Sequence, residues 1–380
     1  MTKNNNLEIY IHIPFCKRKC RYCDFLSFAC SENVQKRYMD ALKKEISAKS
    51  IKYESYVVTS VFIGGGTPSI VDPFWIKELM ELVFDKFTIS ETAEITMEMN
   101  PGTVTKESLG LYKDAGINRL SMGLQSANDR ELALLGRIHS FQEFLSAYAS
   151  ARSVGFFNIN VDLMSALPRQ SVESYMDTLD KVLNLSPPPE HISAYSLIVE
   201  EGTPFYVAYE KGELELPSEE DERLMYEKTE EILKLHGYRR YEISNYAKEG
   251  YECRHNVGYW VRENYAGFGL GAASMIENQR FSGETDLKKY LENPLAEREA
   301  EVLSLEEQME EFMFLGLRLI KGVEEAVFKE TFGKSIDDVY GEVLQKHCKE
   351  GLLIRERGRV FLSTRGLDVS NYVMADFILS

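Results

Sequence analysis

Short apolar stretches recur along the first half of the chain at residues 9–13, 57–63, 94–99, 119–123, 158–163 and 191–198. Each is strand length and rich in β-branched or aromatic residues. Between most of them lie longer amphipathic stretches with helical spacing, at 34–48, 73–84, 106–115, 141–154 and 171–185. Strand–helix alternation of this kind implies parallel strands joined by crossovers. Six units are too few for the closed eight-stranded barrel and suit an open (β/α)6 version. Functional residues should then gather just after the strands, at their C-terminal ends.

The polar residues fall where that geometry asks for them. The first strand runs into Cys16, and the second into Gly64-Gly65-Gly66-Thr67-Pro68. The third carries Glu98 and ends at Asn100-Pro101, the fourth runs into Gln125, the fifth carries Asp162, and the sixth Ser196. Packing alone does not explain six such placements in register.

Beyond about residue 200 the pattern changes. A charged helix at 219–235 leads to a β segment at 238–245 and a glycine-rich loop at 267–273. From about Ser304 come two helical patterns, two short strands (352–356 and 360–362) turning at Arg357-Gly358, and a last amphipathic helix at 367–379. Helices followed by a small hairpin predict an α+β, winged-helix-like module. The expected organisation is a barrel core over 1–240, a connecting segment over 241–300 and the C-terminal module over 301–380.

Charge and cysteine usage narrow the chemistry. The formal net charge of −16 argues against a nucleic-acid footprint, which needs a positive face, and favours docking of the C-terminal module on the barrel. The start of the chain has no apolar signal core, and no apolar run is long enough for an integral membrane segment. The expected location is cytoplasmic, with any membrane contact peripheral and through a partner. Three of the six cysteines are crowded at Cys16, Cys20 and Cys23, which in a reducing compartment points to metal rather than disulfides.

Their spacing is C-x3-C-x2-C. Three thiolates on one loop suit a [4Fe–4S] cluster with one iron left open. That iron can chelate the amino and carboxylate groups of S-adenosylmethionine (SAM), the pattern of a radical SAM protein. Lys17, Arg18, Lys19 and Arg21 help offset the negative charge. The alternative is a zinc site with Cys30 as fourth ligand, but closed zinc sites usually pair two C-x2–4-C units. The glycines at 64–66 let backbone groups approach a ligand closely, and the segment lacks the lysine of a nucleotide P-loop. Glu98 and Asp162 are carboxylates within apolar strands, costly unless partnered; they suit ribose hydroxyls, cationic ligand groups or structural ion pairs. Gln125 and Arg137 stand on loops at the same end.

In order along the chain, Tyr10-Ile11-His12-Ile13-Pro14-Phe15-Cys16, Gly64 to Pro68, Glu98-Met99-Asn100-Pro101, Gly123-Leu124-Gln125-Ser126, Leu135-Gly136-Arg137-Ile138-His139, Asp162-Leu163-Met164, Leu167-Pro168-Arg169-Gln170, Glu201-Gly202-Thr203-Pro204-Phe205 and Tyr241-Glu242-Ile243-Ser244-Asn245 resemble the oxygen-independent coproporphyrinogen III oxidases and their relatives, the HemW-type heme chaperones. The resemblance covers nearly the whole chain. It implies that Tyr10, Gly65, Glu98 and Ala273 contact cluster-bound SAM. It implies that Tyr22, Gly66, Thr67, Gln125, Arg137, Asp162 and Ser196 line an adjacent pocket, which in the oxidases can hold a second SAM.

Departures from the oxidase pattern point to the chaperone subgroup. The oxidases resemble C-x3-C-x2-C-x-C, whereas Phe25 stands at the last position here, and only fifteen residues precede Cys16, where the oxidases have a longer arm. The string His255-Asn256-Val257-Gly258-Tyr259-Trp260 resembles the H-N-x-x-Y-W motif of HemW-like members. It offers an imidazole for heme iron and rings to pack on a porphyrin, with Cys253 as a competing thiolate. On residue type alone, a histidine beside tyrosine and tryptophan is more often a packed structural group, and the cysteine a small packing residue. His12 is expected to support the cluster through hydrogen bonds. The resemblance implies heme as cargo, heme-acceptor proteins as partners, and an electron donor of the flavodoxin or ferredoxin kind if SAM is cleaved. A homodimer is a family-level expectation. The competing reading is a coproporphyrinogen III dehydrogenase acting on propionate side chains.

Overall fold

A computed structural model describes residues 5–379. Six parallel strands stand side by side in chain order: β1 (Asn6–Ile13), β2 (Val57–Gly65), β3 (Thr88–Met99), β4 (Arg119–Gln125), β5 (Ile159–Ser165) and β6 (His191–Ser196). The crossovers are α1 (Glu32–Lys49), α2 (Pro73–Lys86), α3 (Lys106–Asp114), α4 (Asp129–Leu135), α5 (Phe141–Ser153) and α6 (Val172–Leu183). All six strands and the five long amphipathic helices lie where the hydrophobic pattern puts them. Short polar side chains start the helices. Asp72 accepts the amide of Phe74, and Thr105–Ser108 and Ser140–Glu143 form reciprocal capping boxes, each cap worth about 1 kcal/mol.

Alternation along the strands divides the barrel wall into two faces. Leu7, Ile9, Ile11 and Ile13 of β1 are fully buried, as are Val61, Ile63, Met97, Leu120, Met122, Val161 and Leu163. They form one core with helix residues such as Leu42, Ile46, Ile76, Leu79, Leu109, Phe144 and Leu179. Each such side chain contributes about 1.5–3 kcal/mol by leaving water. The opposite face is polar. Register carries Glu8 beside Ser60 and Ser60 beside Glu94, then Thr96 beside Arg119 and Glu98 beside Ser121. It continues from Ser121 to Asn160 to His191, and from Gly123 to Asp162 to Ser193. The inside of the barrel is therefore a stack of hydrogen-bonding residues.

The sheet does not close on itself. Beyond β6, α7 (Pro204–Glu210) and α8 (Glu219–Leu235) lead to β7 (Arg239–Arg240) and β8 (Asn245–Ala247), which extend the β6 edge antiparallel. The chain then forms α9 (Arg254–Trp260) and returns to the other edge. There β9 (Tyr265–Phe268) joins β1 in parallel, followed outward by β10 (Ala273–Ile276), β11 (Gln279–Gly283) and β12 (Glu297–Val302). One twelve-stranded sheet results. Between β11 and β12 lies α10 (Leu287–Glu292).

The C-terminal module has its own core, including Met309, Met313, Phe328, Phe332, Tyr340, Val360 and Phe377. It contains α11 (Leu305–Gly316), β13 (Val323–Glu324), α12 (Glu325–Phe332) and α13 (Ile336–Lys349), then β14 (Leu353–Glu356) and β15 (Arg359–Leu362). Arg357 and Gly358 both have positive φ, 53° and 74°, which matches the twist a two-residue hairpin turn needs. The last helix of the sequence reading is two short ones, α14 (Thr364–Asp368) and α15 (Ser370–Ala375). They break at Val369, whose backbone (φ −119°, ψ 33°) is non-helical. The module docks on the barrel, as the acidic total suggested. Arg262 donates to Glu311 at 3.0 Å, the Ile320 amide donates to the Tyr241 carbonyl at 3.0 Å, and Arg318 lies over the Trp260 ring at 4.3 Å.

Candidate functional site

Between β1 and α1 the chain makes a loop whose base is pinched shut. The Cys16 amide donates to the Phe28 carbonyl (3.0 Å) and the Phe28 amide to that of Pro14 (2.9 Å). Cys16, Cys20 and Cys23 sit on this loop, free and half-buried. Cys20 and Cys23 share a turn, with the Cys23 amide donating to the Cys20 carbonyl at 3.4 Å. Cys16 Sγ lies 3.6 Å from Thr67 Oγ1, and Cys20 Sγ accepts from Arg137 Nη1 at 3.7 Å. Burial pushes the Cys23 thiol up, with the neighbouring thiols Cys20 and Cys16 adding to the rise. Among the described residues no three histidine, cysteine or acidic side chains converge as a ready-made cage for one ion. A cubane cluster spreads its thiolates over separate corners. Three half-buried thiols beside a hydroxyl and a guanidinium are a donor set that fits it.

The glycine loop is clamped against this cysteine loop. The Gly66 amide donates to Ile13 (2.9 Å) and the Thr67 amide to Phe15 (2.7 Å). A Cβ on Gly66 would lie 2.6 Å from the Phe15 carbonyl oxygen, so glycine here is required by backbone contact. Gly65 has φ 112°, and its Cβ would lie 2.4 Å from the His12 ring. That ring is fixed from both sides. Its Nε2 meets the Leu26 carbonyl at 2.9 Å, which can only accept, so Nε2 carries the proton. Nδ1 is then the acceptor for Tyr10 Oη at 2.9 Å. Burial lowers the His12 pKa, consistent with a neutral ring holding Tyr10.

Glu98 accepts the Gly65 amide at 3.0 Å. Burial, and then the nearby Asp162, push its carboxyl up to about 8. Asp162 accepts from Asn160 (2.8 Å) and Ser121 (3.1 Å), and burial raises its pKa too. Two carboxyls disfavouring each other's charge in one buried space suit a ligand with a cationic group and hydroxyls. Arg137 crosses the mouth, donating to the Gly123 carbonyl (2.5 Å) and Asn100 Oδ1 (2.9 Å) as well as to Cys20. Gln125 ends β4 at φ 71°, a strained backbone for a non-glycine residue. Tyr22 packs with Leu135, Met164, Leu167, Leu197 and Phe205.

The structure thus brings Tyr10, Gly65, Gly66, Thr67, Glu98, Gln125, Arg137 and Asp162 to one end of the barrel with the cysteines. Ser196 is at the exposed rim and donates to Glu222 of α8. Ala273 lies at the start of β10, its carbonyl backed by Gly267, which pairs with Tyr10. Asn100 and Ser121, which hold Arg137 and Asp162, drew no role from the sequence, although Asn100 stands inside one of its motifs.

His255 and Cys253 lie deeper in the barrel, with the His255 ring 6.4 Å from that of Tyr10 and 5.2 Å from that of Phe62. Helix α9 covers the opposite end of the barrel, and the two residues are 1% and 0% exposed. Ser60 donates to Glu8, so its oxygen is left to accept from His255 Nδ1 at 2.8 Å, and Nε2 accepts from Tyr259 Oη at 3.1 Å. Both ring nitrogens are occupied in this conformation, and burial holds the His255 pKa down to about 3. Cys253 Sγ lies 3.6 Å from Glu94 Oε1, and its thiol is pushed up to about 12, mainly by burial. A Cβ on Gly258 would sit 2.1 Å from Glu8 Oε1. The string fits as a plug: a histidine into the polar interior, a glycine against Glu8, and a tryptophan against the C-terminal module.

Comparison with known proteins agrees with this architecture. The Radical SAM superfamily matches residues 10–182, and the HemN C-terminal domain matches residues 303–369. A heme chaperone HemW from Bacillus subtilis (strain 168) is 37% identical, covering 97% of this chain and 98% of its own. The heme chaperone HemW of Escherichia coli (strain K12) is 33% identical over 96% of this chain and 98% of its own. The solved structure of E. coli coproporphyrinogen III oxidase (HemN), described as a radical SAM enzyme, superimposes with a TM-score of 0.87 over 99% of this chain and 90% of that one, at 23% identity, a likeness of fold. The chain belongs to the HemW family of radical SAM proteins.

Proposed function

We propose that this protein is a heme chaperone that carries a [4Fe–4S] cluster and SAM and hands heme to acceptor proteins. The observation that carries the reading is end-to-end similarity, at 37% identity, to a relative named heme chaperone. Phe25, in place of the further cysteine of the oxidases, supports it over porphyrinogen oxidation.

In this reading Cys16, Cys20 and Cys23 hold the cluster, and Arg137 and Thr67 steady the Cys20 and Cys16 sulfurs. When bound, the cluster supplies an open iron for SAM and a source of single electrons. Tyr10, placed by neutral His12, and Glu98, placed by the Gly65 amide, bind SAM, with Ala273 beside them across β9. Tyr22, Gly66, Gln125, Asp162 and Ser196 shape the adjoining pocket, and Asp162 accepts hydroxyl hydrogens. Among the described residues no helix is long and apolar enough to cross a membrane.

The test is anaerobic. Cluster-reconstituted protein is titrated with heme and, in parallel, supplied with SAM, reductant and coproporphyrinogen III. Heme uptake without porphyrinogen turnover supports the chaperone. Turnover to protoporphyrinogen, or failure to take up heme, rejects it.

A further inference from the structure

The cysteine loop carries more positive charge than its cluster needs. Lys17, Arg18, Lys19 and Arg21 are all exposed, and among the described residues none of them forms an ion pair with a carboxylate. Lys17 reaches the Gly102 carbonyl (3.4 Å), Arg18 caps the Gly136 and Arg137 carbonyls (2.7 and 3.2 Å), and Lys19 ties the Phe25 carbonyl (2.8 Å). These bonds hold the Lys17, Arg18 and Lys19 side chains by neutral oxygens, with Glu143 the carboxylate that feels Lys17 at longer range. A [4Fe–4S] cluster on three thiolates carries about one net negative charge in its oxidised form, and bound SAM adds none. Four cations exceed that demand, on a chain whose net charge is −16.

Among these cations lies an apolar step that the core does not use. Phe25 is 64% exposed and Leu26 38% exposed. The Lys19–Phe25 bond and the His12–Leu26 bond hold the backbone of this step in place. A Cβ on Gly271 would lie 2.7 Å from Leu26, so the step rests on the glycine-rich loop before β10. On the far side, Arg18 sits on the carbonyls next to Ile138, itself 39% exposed. An exposed ring and an aliphatic side chain, on a loop that carries four exposed cations against one exposed carboxylate, Asp24, match a flat apolar dianion.

We propose that the cysteine loop is the porphyrin-docking surface: the ring lies on Phe25 and Leu26, and its propionates meet Lys17 and Arg21. The proposal rests on the chaperone reading and gives the cargo a place. It puts the cargo at the cluster end of the barrel, away from His255, and recognition is through ring and propionates rather than iron.

The test uses full-length, cluster-reconstituted protein, with heme and metal-free protoporphyrin IX followed by absorbance and tryptophan quenching. Wild type should bind both, more weakly as salt rises, and should bind the propionate dimethyl ester at least tenfold more weakly. Phe25→Ala should weaken binding at least tenfold with iron content and melting temperature unchanged, and the double variant Lys17→Glu/Arg21→Glu should weaken it at least tenfold per cluster-loaded protein. The ester comparison needs no variant, so it decides even where a substitution disturbs the cluster. Unchanged affinity for the ester, or binding of heme alone, overturns the site while the chaperone reading stands. Charge reversal that slows reduction by an acidic flavoprotein but spares porphyrin affinity assigns the rim to an electron donor and also overturns it. A wild type that binds neither porphyrin rejects the chaperone reading and the site together.

Discussion

Glu98 Oε2 accepts the amide of Gly65 across 3.0 Å, joining the third strand to the glycine loop under the mouth of the barrel. The carboxyl is pushed up to about 8, so near neutral pH it is mostly protonated until a cation arrives. Glu98→Gln should keep the hydrogen bond and the cluster but bind SAM at least tenfold more weakly. Calorimetry in buffers of different ionisation heat should show SAM binding releasing a proton in the wild type and less in the variant. Equal affinities would remove Glu98 from the SAM site.

Gly65→Ala places a methyl 2.4 Å from the His12 ring at φ 112°. The change should cost about 2–4 kcal/mol and weaken SAM binding by displacing the support of Tyr10. Gly202 also has a positive φ, 82°, but a Cβ there meets nothing within 4 Å. Gly202→Ala should therefore cost about 1 kcal/mol and spare SAM. Denaturant midpoints of the two variants make the comparison, and equal losses would show that backbone strain alone matters.

Alanine at Cys16, Cys20 or Cys23 should abolish iron retention after reconstitution, while Cys30→Ala and Cys348→Ala retain it. Iron and sulfide analysis reads this directly. Loss of metal in Cys30→Ala would restore the zinc-type alternative.

Glu8, against α9, has its carboxyl raised by burial from 4.5 to about 9. Between those values the folded state holds a proton that the unfolded state releases, so stability falls as pH rises through that window. His255 and His139 act oppositely: with folded values of about 3, they make stability rise up to about pH 6.5. Above that the raised carboxyls Glu8 and Glu98 lower stability together, Glu98 up to about pH 8 and Glu8 up to about pH 9. Glu8→Gln should make the decline from pH 7 to 9 shallower, by about 1 kcal/mol per pH unit. An unchanged slope would mean that Glu8 is ionised in the fold.

His255→Ala removes a buried ring and leaves the Tyr259 hydroxyl without its acceptor, while Ser60 keeps its bond to Glu8. The expected loss is about 2–4 kcal/mol, read from urea midpoints. A loss below about 1 kcal/mol would show that the ring is not held as described.

Much of the molecule was legible along the chain because period and spacing are local properties. Short apolar runs rich in β-branched and aromatic residues located β1 to β6, and the amphipathic stretches of helical spacing the helices between them. The parallel-strand inference then put Cys16, Gly65, Glu98, Gln125 and Asp162 at one end, since side chains at the ends of parallel strands must meet. The three-cysteine spacing needed no fold at all.

What only the tertiary structure decided depends on contacts between distant segments. Glu8, Ser60, Glu94 and Arg119 drew no role from the sequence, and strand register brings them together as one buried stack. The glycine-rich segment after residue 260 reaches β1 by adding β9 to the far edge of the sheet, a pairing across more than half the chain that no local pattern encodes. His255 shows the limit most sharply. Its neighbours in sequence offered an imidazole beside two aromatic rings. Its neighbours in space, Ser60 and Tyr259, occupy both nitrogens, because α9 folds inward over the barrel rather than outward to solvent.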